Sequence, residues 1–380
     1  MSDPTALSRP LRVHLTNVAG AGATQLLQSL LPALERQQRV HITEIHLPDR
    51  GALANYKVAP TSGLAVTYRR HLPNAMSRLF ECIAFARRFN GDTALLVLGD
   101  LPLRCTARQT VFVQTPHLAS PARSNWSLDG LKFAIARLVF RFNASHARTF
   151  IVQTSLMQQM LAASYPGIAH KIHVIAQPVP SWLLDSPRRR TGRRAAAADK
   201  LTLVYPAAMY PHKNHRLLYR ITAASSAAWP VERLLLTLPA ELHPAPEVAW
   251  IGCVGFLSPQ QMIQTYDRVD GLLFLSTDES YGFPLIEAMF KGLPIVCPDL
   301  PYARALCADG AIYFDPHAID SLQQAVASLQ ARLAQGWWPD WSAQLAHIPK
   351  DWDTVAIAMI DVVFGSPGDS TPSSQLRPAP

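Results

Sequence analysis

Residues 271–297 read GLLFLSTDESYGFPLIEAMFKGLPIVC, two short oily runs separated by a polar turn and a longer apolar segment. GLLFLS (271–276) and LPIVC (293–297) have the length and the Val/Ile/Leu content of strands buried on both faces. Between them PLIEAMFKG (284–292) is long enough for a helix. Pro284 suits its first position, where the missing N–H costs nothing, and Gly292 suits its stop. Strand, helix, strand with a crossover of this length is the repeating unit of a parallel sheet.

The same alternation runs outward in both directions. After residue 200 it includes LTLVYP (201–206), RLLLTL (233–238) and GAIYF (310–314). Before it come LRVHLT (11–16), VHITEIHL (40–47), ALLVLG (94–99), TVFVQ (110–114), TFIVQT (149–154) and KIHVI (171–175). The basic, aperiodic stretch SPRRRTGRRAAAADK (186–200) reads as a linker. Two doubly wound α/β domains are therefore expected, 1–185 and 201–350. In such sheets ligands sit beyond the carboxyl ends of the strands, and a cleft between two such domains is the natural pocket. DWDTVAIAMIDVVF (351–364) breaks the alternation as one amphipathic helix, and residues 366–380 read as a disordered Pro/Ser-rich tail.

The totals fit a globular protein: 380 residues, 49% apolar and 16% charged. No apolar run approaches the ~18–20 residues that span a bilayer. MSDPTALSRPLRV at the start lacks a secretory signal, and the five scattered cysteines include no CxxC pair, so a cytoplasmic chain with reduced thiols is expected. The net charge of +8 is uneven. Residues 1–200 hold 25 Lys+Arg and 10 Asp+Glu, 25 − 10 = +15, whereas residues 201–380 hold 10 and 17, 10 − 17 = −7. The basic front half implies a polyanionic partner: nucleic acid, anionic lipid head groups or a phosphorylated substrate. No zinc finger, helix-turn-helix or RNP-like strand accompanies it, so nucleic acid is not the expected partner.

Four places carry candidate chemistry. In the loop TDESYG, Glu279 precedes the helix, while Gly282 and Phe283 offer backbone N–H groups at its start, an anion site in waiting. Glu287 is expected in that helix's first turn, facing the same mouth. It could equally complement the helix dipole, as Glu279 could be a solvated loop acid. In YPAAMYPHKNHRLL (205–218) a strand passes into an expected helix. There His212 and Lys213 stand where a phosphate is held, or Lys213 is an ordinary surface lysine. Gly20 and Gly22 in NVAGAGATQLLQSLL (17–31) allow close backbone approach, although the pattern is neither a P-loop nor a full dinucleotide fingerprint. His117 follows the strand TVFVQ in a Thr-Pro-His loop, as a functional or a structural histidine. There is no HExxH, no CxxC and no DxD between strand and loop to point to a metal.

Taken together, STDESYGFPLIEAMFKGLPIVCPD, with its two glutamates eight positions apart, resembles the E-x7-E region of retaining glycosyltransferases of family 4. YPHKNHRLL, VGFLSPQQMIQTYDRVDGLLFLS and ADGAIYFDP are similar to that family's other stations, in order; LVLGDLPL and FIVQTSLMQQML in the front half match more loosely. The resemblance implies a GT-B fold: two Rossmann-like domains facing across a cleft, with the helix at 351–365 crossing back to pack on the first. It implies transfer of a hexose from a UDP- or GDP-sugar to a lipid-linked, surface-polysaccharide or lipopolysaccharide acceptor. Configuration would be retained by metal-independent front-face displacement, with no cofactor. By the same resemblance Glu287 holds the ribose hydroxyls, Glu279 the donor sugar and Lys213 the pyrophosphate. Gly282, Phe283, Pro284 and Leu285 line the donor pocket. Gly255, Phe256 and Leu257 stand near the base, Gly20 and Gly22 near the diphosphate, and His117 near the reacting carbon. The family's arginine five residues before the lysine is Ala208 here, so His212 or a front-half arginine would have to replace that cation. Acceptors of this kind lie at membrane faces. Two basic, aromatic stretches could lie on an anionic surface: residues 68–89, and residues 125–142 with Trp126, Lys132, Phe133, Arg137, Phe140 and Arg141. Core-packing helices with a solvated basic edge would read the same way. Competing readings are a nucleic-acid-binding protein, or an epimerase or phosphorylase on the same scaffold.

Overall fold

The computed structural model describes residues 8–18, 20–49, 51–59, 66–69, 75–119, 128–186, 190–192 and 200–365. Trp126, most of the stretch 186–200 and the tail 366–380 lie outside them. The chain divides into two compact units. Residues up to Ile175 together with those from Trp352 onward make the first, and Ala176–Asp351 the second, so the division falls ahead of the basic stretch.

The first unit holds a seven-stranded sheet of β1 (Arg9–His14), β2 (Val40–Leu47), β3 (Val66–Arg69), β4 (Ala94–Val97), β5 (Gln109–Phe112), β6 (Ala147–Val152) and β7 (Ile172–Val174). Their order is β3-β2-β1-β4-β5-β6-β7, every pair parallel. The second holds β8 (Leu201–Tyr205), β9 (Val231–Leu236), β10 (Ile251–Cys253), β11 (Gly271–Leu273), β12 (Ile295–Pro298) and β13 (Ile312–Phe314), ordered β10-β9-β8-β11-β12-β13 and again all parallel. Each sheet is thus doubly wound, with its reversal of strand order beside the first strand of its unit. The central strands are covered on both faces: Leu11, Val13, Leu95, Leu96 and Val97, like Leu203, Val204, Leu272 and Val296, have no exposed surface, and β1 also buries Arg12, between Leu11 and Val13, and His14 after them. All eleven apolar runs become strands. The short edge strands β3 and β10 were not expected, because neither has a continuous oily run.

The helix Trp352–Phe364 belongs to the first unit, where it packs along the helix Ala21–Glu35 and against β4, β5 and β6. Trp352, Val355, Ala356, Met359, Ile360 and Val363 are buried. On its polar side Arg36 meets Asp353 at 2.9 Å and Arg39 meets Asp361 at 2.8 Å. The helix Leu128–Asn143 is apolar on two sides. Val139 and Phe140 enter the core, whereas Leu131, Ile135, Leu138 and Phe142 form an outward row between 45% and 71% exposed.

Arg190 is the best-placed residue of the expected linker. Its N–H donates to the Lys291 carbonyl at 2.9 Å, its guanidinium to the Val269 carbonyl, and it lies over the Trp338 ring at 5.0 Å. This part of the stretch is fastened to the second unit.

Candidate active site

In the second sheet β8 and β11 are neighbours, and their following segments leave from the point where strand order reverses, the place where open α/β sheets bind ligands. The segment after β8 carries His212 and Lys213; the segment after β11 carries Glu279. Three hydrogen bonds pin one to the other through the His212 carbonyl, which accepts from Thr277 N–H at 2.7 Å and from the Ser276 and Thr277 hydroxyls at 3.2 Å each. The Tyr205 hydroxyl donates to the Lys213 carbonyl at 2.7 Å, and the Tyr302 hydroxyl donates to the Ser276 carbonyl. Burial pushes both phenols well above their ordinary range, so they stay donors.

On this scaffold Lys213 Nζ reaches Glu279 Oε1 at 2.5 Å, with the two side chains 15% and 13% exposed. The ammonium also stands 5.9 Å from the centroid of Phe274. The segment 211–220 is not the expected α-helix. It is two 3₁₀ turns, Pro211–Lys213 and His215–Arg220, hinged at Asn214 with φ +55°. Asn tolerates this left-handed conformation better than most residues, and a side-chain bond from Asn214 to the Pro316 carbonyl at 3.0 Å holds it. His215 behind the hinge is 2% exposed with neither ring nitrogen bonded; burial, then the Lys213 charge, lowers its pKa to about 4.

The helix after Glu279 runs Phe283–Phe290. Gly282 precedes it at φ +82°, where an added Cβ would stand 3.2 Å from Leu306 Cδ1 and 3.3 Å from Leu285 Cδ1, so turn and packing both favour glycine. Pro284 is the second helical residue rather than the first, still among the positions whose N–H has no partner in the helix. The helix stops as expected: Gly292 adopts φ +70°, Gly292 N–H donates to Met289 at 2.9 Å and Leu293 N–H to Ala288 at 2.8 Å. Glu287 is corrected from the first turn to the second, because the helix begins only at Phe283. It is 4% exposed and accepts the Tyr266 hydroxyl on Oε2 at 2.7 Å. Leu285 is fully buried and its N–H is engaged by the Gly282 carbonyl at 2.9 Å, which leaves it no free group towards a ligand.

The other expected residues fall where their strands end. Gly255, at φ +72°, donates to the Leu238 carbonyl at 2.9 Å beside Leu257 and an almost fully exposed Phe256. His212 stacks on Tyr210, 5.7 Å between centroids. In the first unit, Gly20 caps the helix Ala21–Glu35, and a Cβ at Gly20 or Gly22 would meet nothing within 4 Å. His117 follows β5, packs on Phe133 at 4.3 Å and accepts Arg137 on its carbonyl at 3.2 Å. Its loop is held by Asp100, which accepts from Gln114 N–H at 2.6 Å, Thr115 N–H at 3.1 Å and the Thr115 hydroxyl at 3.0 Å. Sequence reasoning missed Asp100, Tyr205, Tyr266, Ser276 and Tyr302. Their signal was a polar residue at the end of an apolar run, or a tyrosine on the buried side of a helix. Among the described residues no three His, Cys, Asp or Glu side chains gather as for a metal ion, and no helix is long and apolar enough to cross a membrane.

Comparison with known proteins bears on the fold and on the second unit's sequence. Residues 245–331 match the family model of glycosyl transferases group 1. The serotype-specific mannosyltransferase WbdA of Escherichia coli is 27% identical over 121 residues, 32% of this chain and 14% of that protein. The chain spans under a fifth of the length of the first curated relatives it matches. Among solved structures, sucrose-phosphate synthase from Thermosynechococcus elongatus superposes with TM-score 0.62 at 13% identity, covering 93% of this chain and 98% of that one. WaaG, a glycosyltransferase involved in lipopolysaccharide biosynthesis, does so with TM-score 0.62 at 11% identity, covering 93% and 100%. Residues 245–331 are therefore similar to the glycosyl transferases group 1 family, and the chain that carries them has the GT-B fold.

Proposed function

We propose that this chain is a retaining glycosyltransferase that moves a hexose from a UDP- or GDP-sugar to a lipid-linked or surface-polysaccharide acceptor. The observation that carries this reading is the Lys213–Glu279 pair at the reversal point of the second sheet, next to the start of the helix Phe283–Phe290. Lys213 and the Gly282 and Phe283 N–H groups take the donor diphosphate. Glu279 takes hydroxyls of the donor sugar, Glu287 the ribose, and Gly255, Phe256 and Leu257 the side of the base. The bond from the anomeric carbon to the diphosphate oxygen breaks as the bond to the acceptor oxygen forms on the same face. The acceptor's proton passes to the departing phosphate oxygen, so no enzyme carboxylate is needed as nucleophile, in contrast to hydrolases that use a carboxylate pair. Charge building on the diphosphate is met by fixed groups already aimed at it.

The names of the relatives favour a hexose and a surface-glycan acceptor. The outward apolar row of the helix Leu128–Asn143, beside Lys132 and Arg141, favours an anionic membrane surface as a further partner of the basic first unit, on the cytoplasmic face. Thermal shifts against UDP-, GDP- and other nucleotide sugars identify the donor. Released nucleotide, measured with and without acceptor, separates transfer from epimerisation. Lys213→Ala is expected to reduce transfer by about a hundredfold or more without unfolding the chain; wild-type turnover would remove the site assignment. An inverted product anomer would overturn retention.

A further inference from the structure

The carboxylate read as the ribose group is not held by its own helix alone. Glu287 sits in the second turn of Phe283–Phe290, almost entirely buried, and one of its oxygens accepts from a side chain on another element. That donor is Tyr266, on the helix Pro259–Arg268, whose hydroxyl reaches Oε2 at 2.7 Å. Tyr266 has no exposed surface. Its helix is fixed at the start by a reciprocal cap, with Ser258 N–H donating to the Gln261 side chain at 2.9 Å and Gln261 N–H to the Ser258 hydroxyl at 3.3 Å. Burial and the adjacent carboxylate push the phenol well above its ordinary range, so it remains a donor at any working pH.

We propose that Tyr266 is a positioning residue for nucleotide selection: its hydroxyl fixes the plane of the Glu287 carboxylate, so that the acid takes a ribose diol and rejects a 2′-deoxyribose. This rests on the reading of Glu287 as the ribose-binding acid and extends it. A buried phenol that lost this acceptor would be left without a hydrogen bond, which disfavours any swing of Glu287 away from it. A carboxylate so held meets two neighbouring hydroxyls in one orientation. When one hydroxyl is missing, one of the acid's bonds to the nucleotide is lost, and sites built on hydrogen bonds reject such analogues strongly.

The test measures binding of UDP against 2′-deoxy-UDP, and GDP against 2′-deoxy-GDP, by calorimetry on the full chain. The wild type is expected to prefer the ribonucleotide about a hundredfold. Tyr266→Phe, which removes only the hydroxyl, is expected to cut that preference roughly tenfold and to raise the donor KM with kcat within about twofold. Glu287→Asp, which keeps the charge but withdraws it from Tyr266, is expected to lose the preference as well. If Glu287→Gln loses the preference while Tyr266→Phe and Glu287→Asp keep it, the positioning role is wrong and the ribose assignment stands. A lowered melting temperature in Tyr266→Phe with unchanged preference likewise overturns it, as a merely structural bond. If Glu287→Gln also keeps the preference, or the wild type binds none of the four nucleotides, the ribose assignment fails and the proposal with it.

Discussion

At the scale of single residues, the ammonium of Lys213 is already matched by a carboxylate, Glu279, at 2.5 Å. On the proposed reading, a diphosphate at Lys213 competes with that carboxylate for the ammonium, and the carboxylate is then freer to meet sugar hydroxyls. Glu279→Gln should therefore bind free UDP or GDP at least as tightly as the wild type in calorimetry while transferring about a hundredfold more slowly. Parallel losses of binding and turnover would mean that Glu279 serves the fold rather than the donor. Two buried histidines add an acid limit. Burial, aided by neighbouring cations, lowers the pKa of His215 to about 4 and, with His14 beside it, that of His46 to about 3, against 6.5 in the unfolded chain. Both are neutral in the fold, so between pH 6.5 and pH 4 the unfolded state holds the extra protons and stability falls as pH falls. For His215 the loss approaches roughly 3 kcal/mol by pH 4 and then levels off. Melting temperatures measured from pH 7 to pH 4.5 should drop steeply, and less steeply for His215→Asn; equal slopes would refute the contribution.

At the scale of elements, the stretch 271–297 was readable because its punctuation is local. An oily run, a Gly-Phe-Pro start and a Gly stop each act within a few residues, and strand, helix and strand all appear. What failed to show was whatever depends on partners distant in sequence. The bond that Glu287 accepts from Tyr266, twenty-one residues earlier, leaves no mark in the local sequence. The region after Lys213 looked helical until Asn214 turned it through a left-handed residue. The basic helix at 128–143 presented the same ambiguity, since a period of 3.6 residues cannot tell which of two apolar faces enters the core. The fold buries Val139 and Phe140 and leaves Leu131, Ile135, Leu138 and Phe142 outside. In co-sedimentation with phosphatidylglycerol vesicles, replacing Leu138 and Phe142 by Ser should weaken binding about tenfold with the donor-induced thermal shift unchanged, and higher salt should weaken it further. Equal sedimentation with neutral phosphatidylcholine vesicles, or none with either, would argue against the membrane role.

At the scale of the whole molecule, the repeated alternation of oily runs and helical patterns revealed two doubly wound sheets, because parallel strands buried on both faces leave a pattern that survives without knowledge of contacts. The edges were invisible for the converse reason: β3 and β10 are short and carry polar or exposed residues. The helix Trp352–Phe364 was legible as a helix from its apolar period, but its place against Ala21–Glu35 came only from resemblance and from the fold itself. Met359 is fully buried on that helix, so Met359→Ala should cost roughly 2–5 kcal/mol. Hydrogen exchange should then quicken at β1 and β4 and stay unchanged at β8 and β11; uniform quickening would show that the two units unfold as one.

One wall of the first unit follows the whole of the second unit in the chain. A ribosome reading this chain releases nearly all of that unit early, then makes the whole of Ala176–Asp351 before the thirteen residues that close the earlier sheet emerge. The later unit thus has the means to mature first, and the earlier one waits, with its face for Trp352–Phe364 uncovered, until those residues emerge.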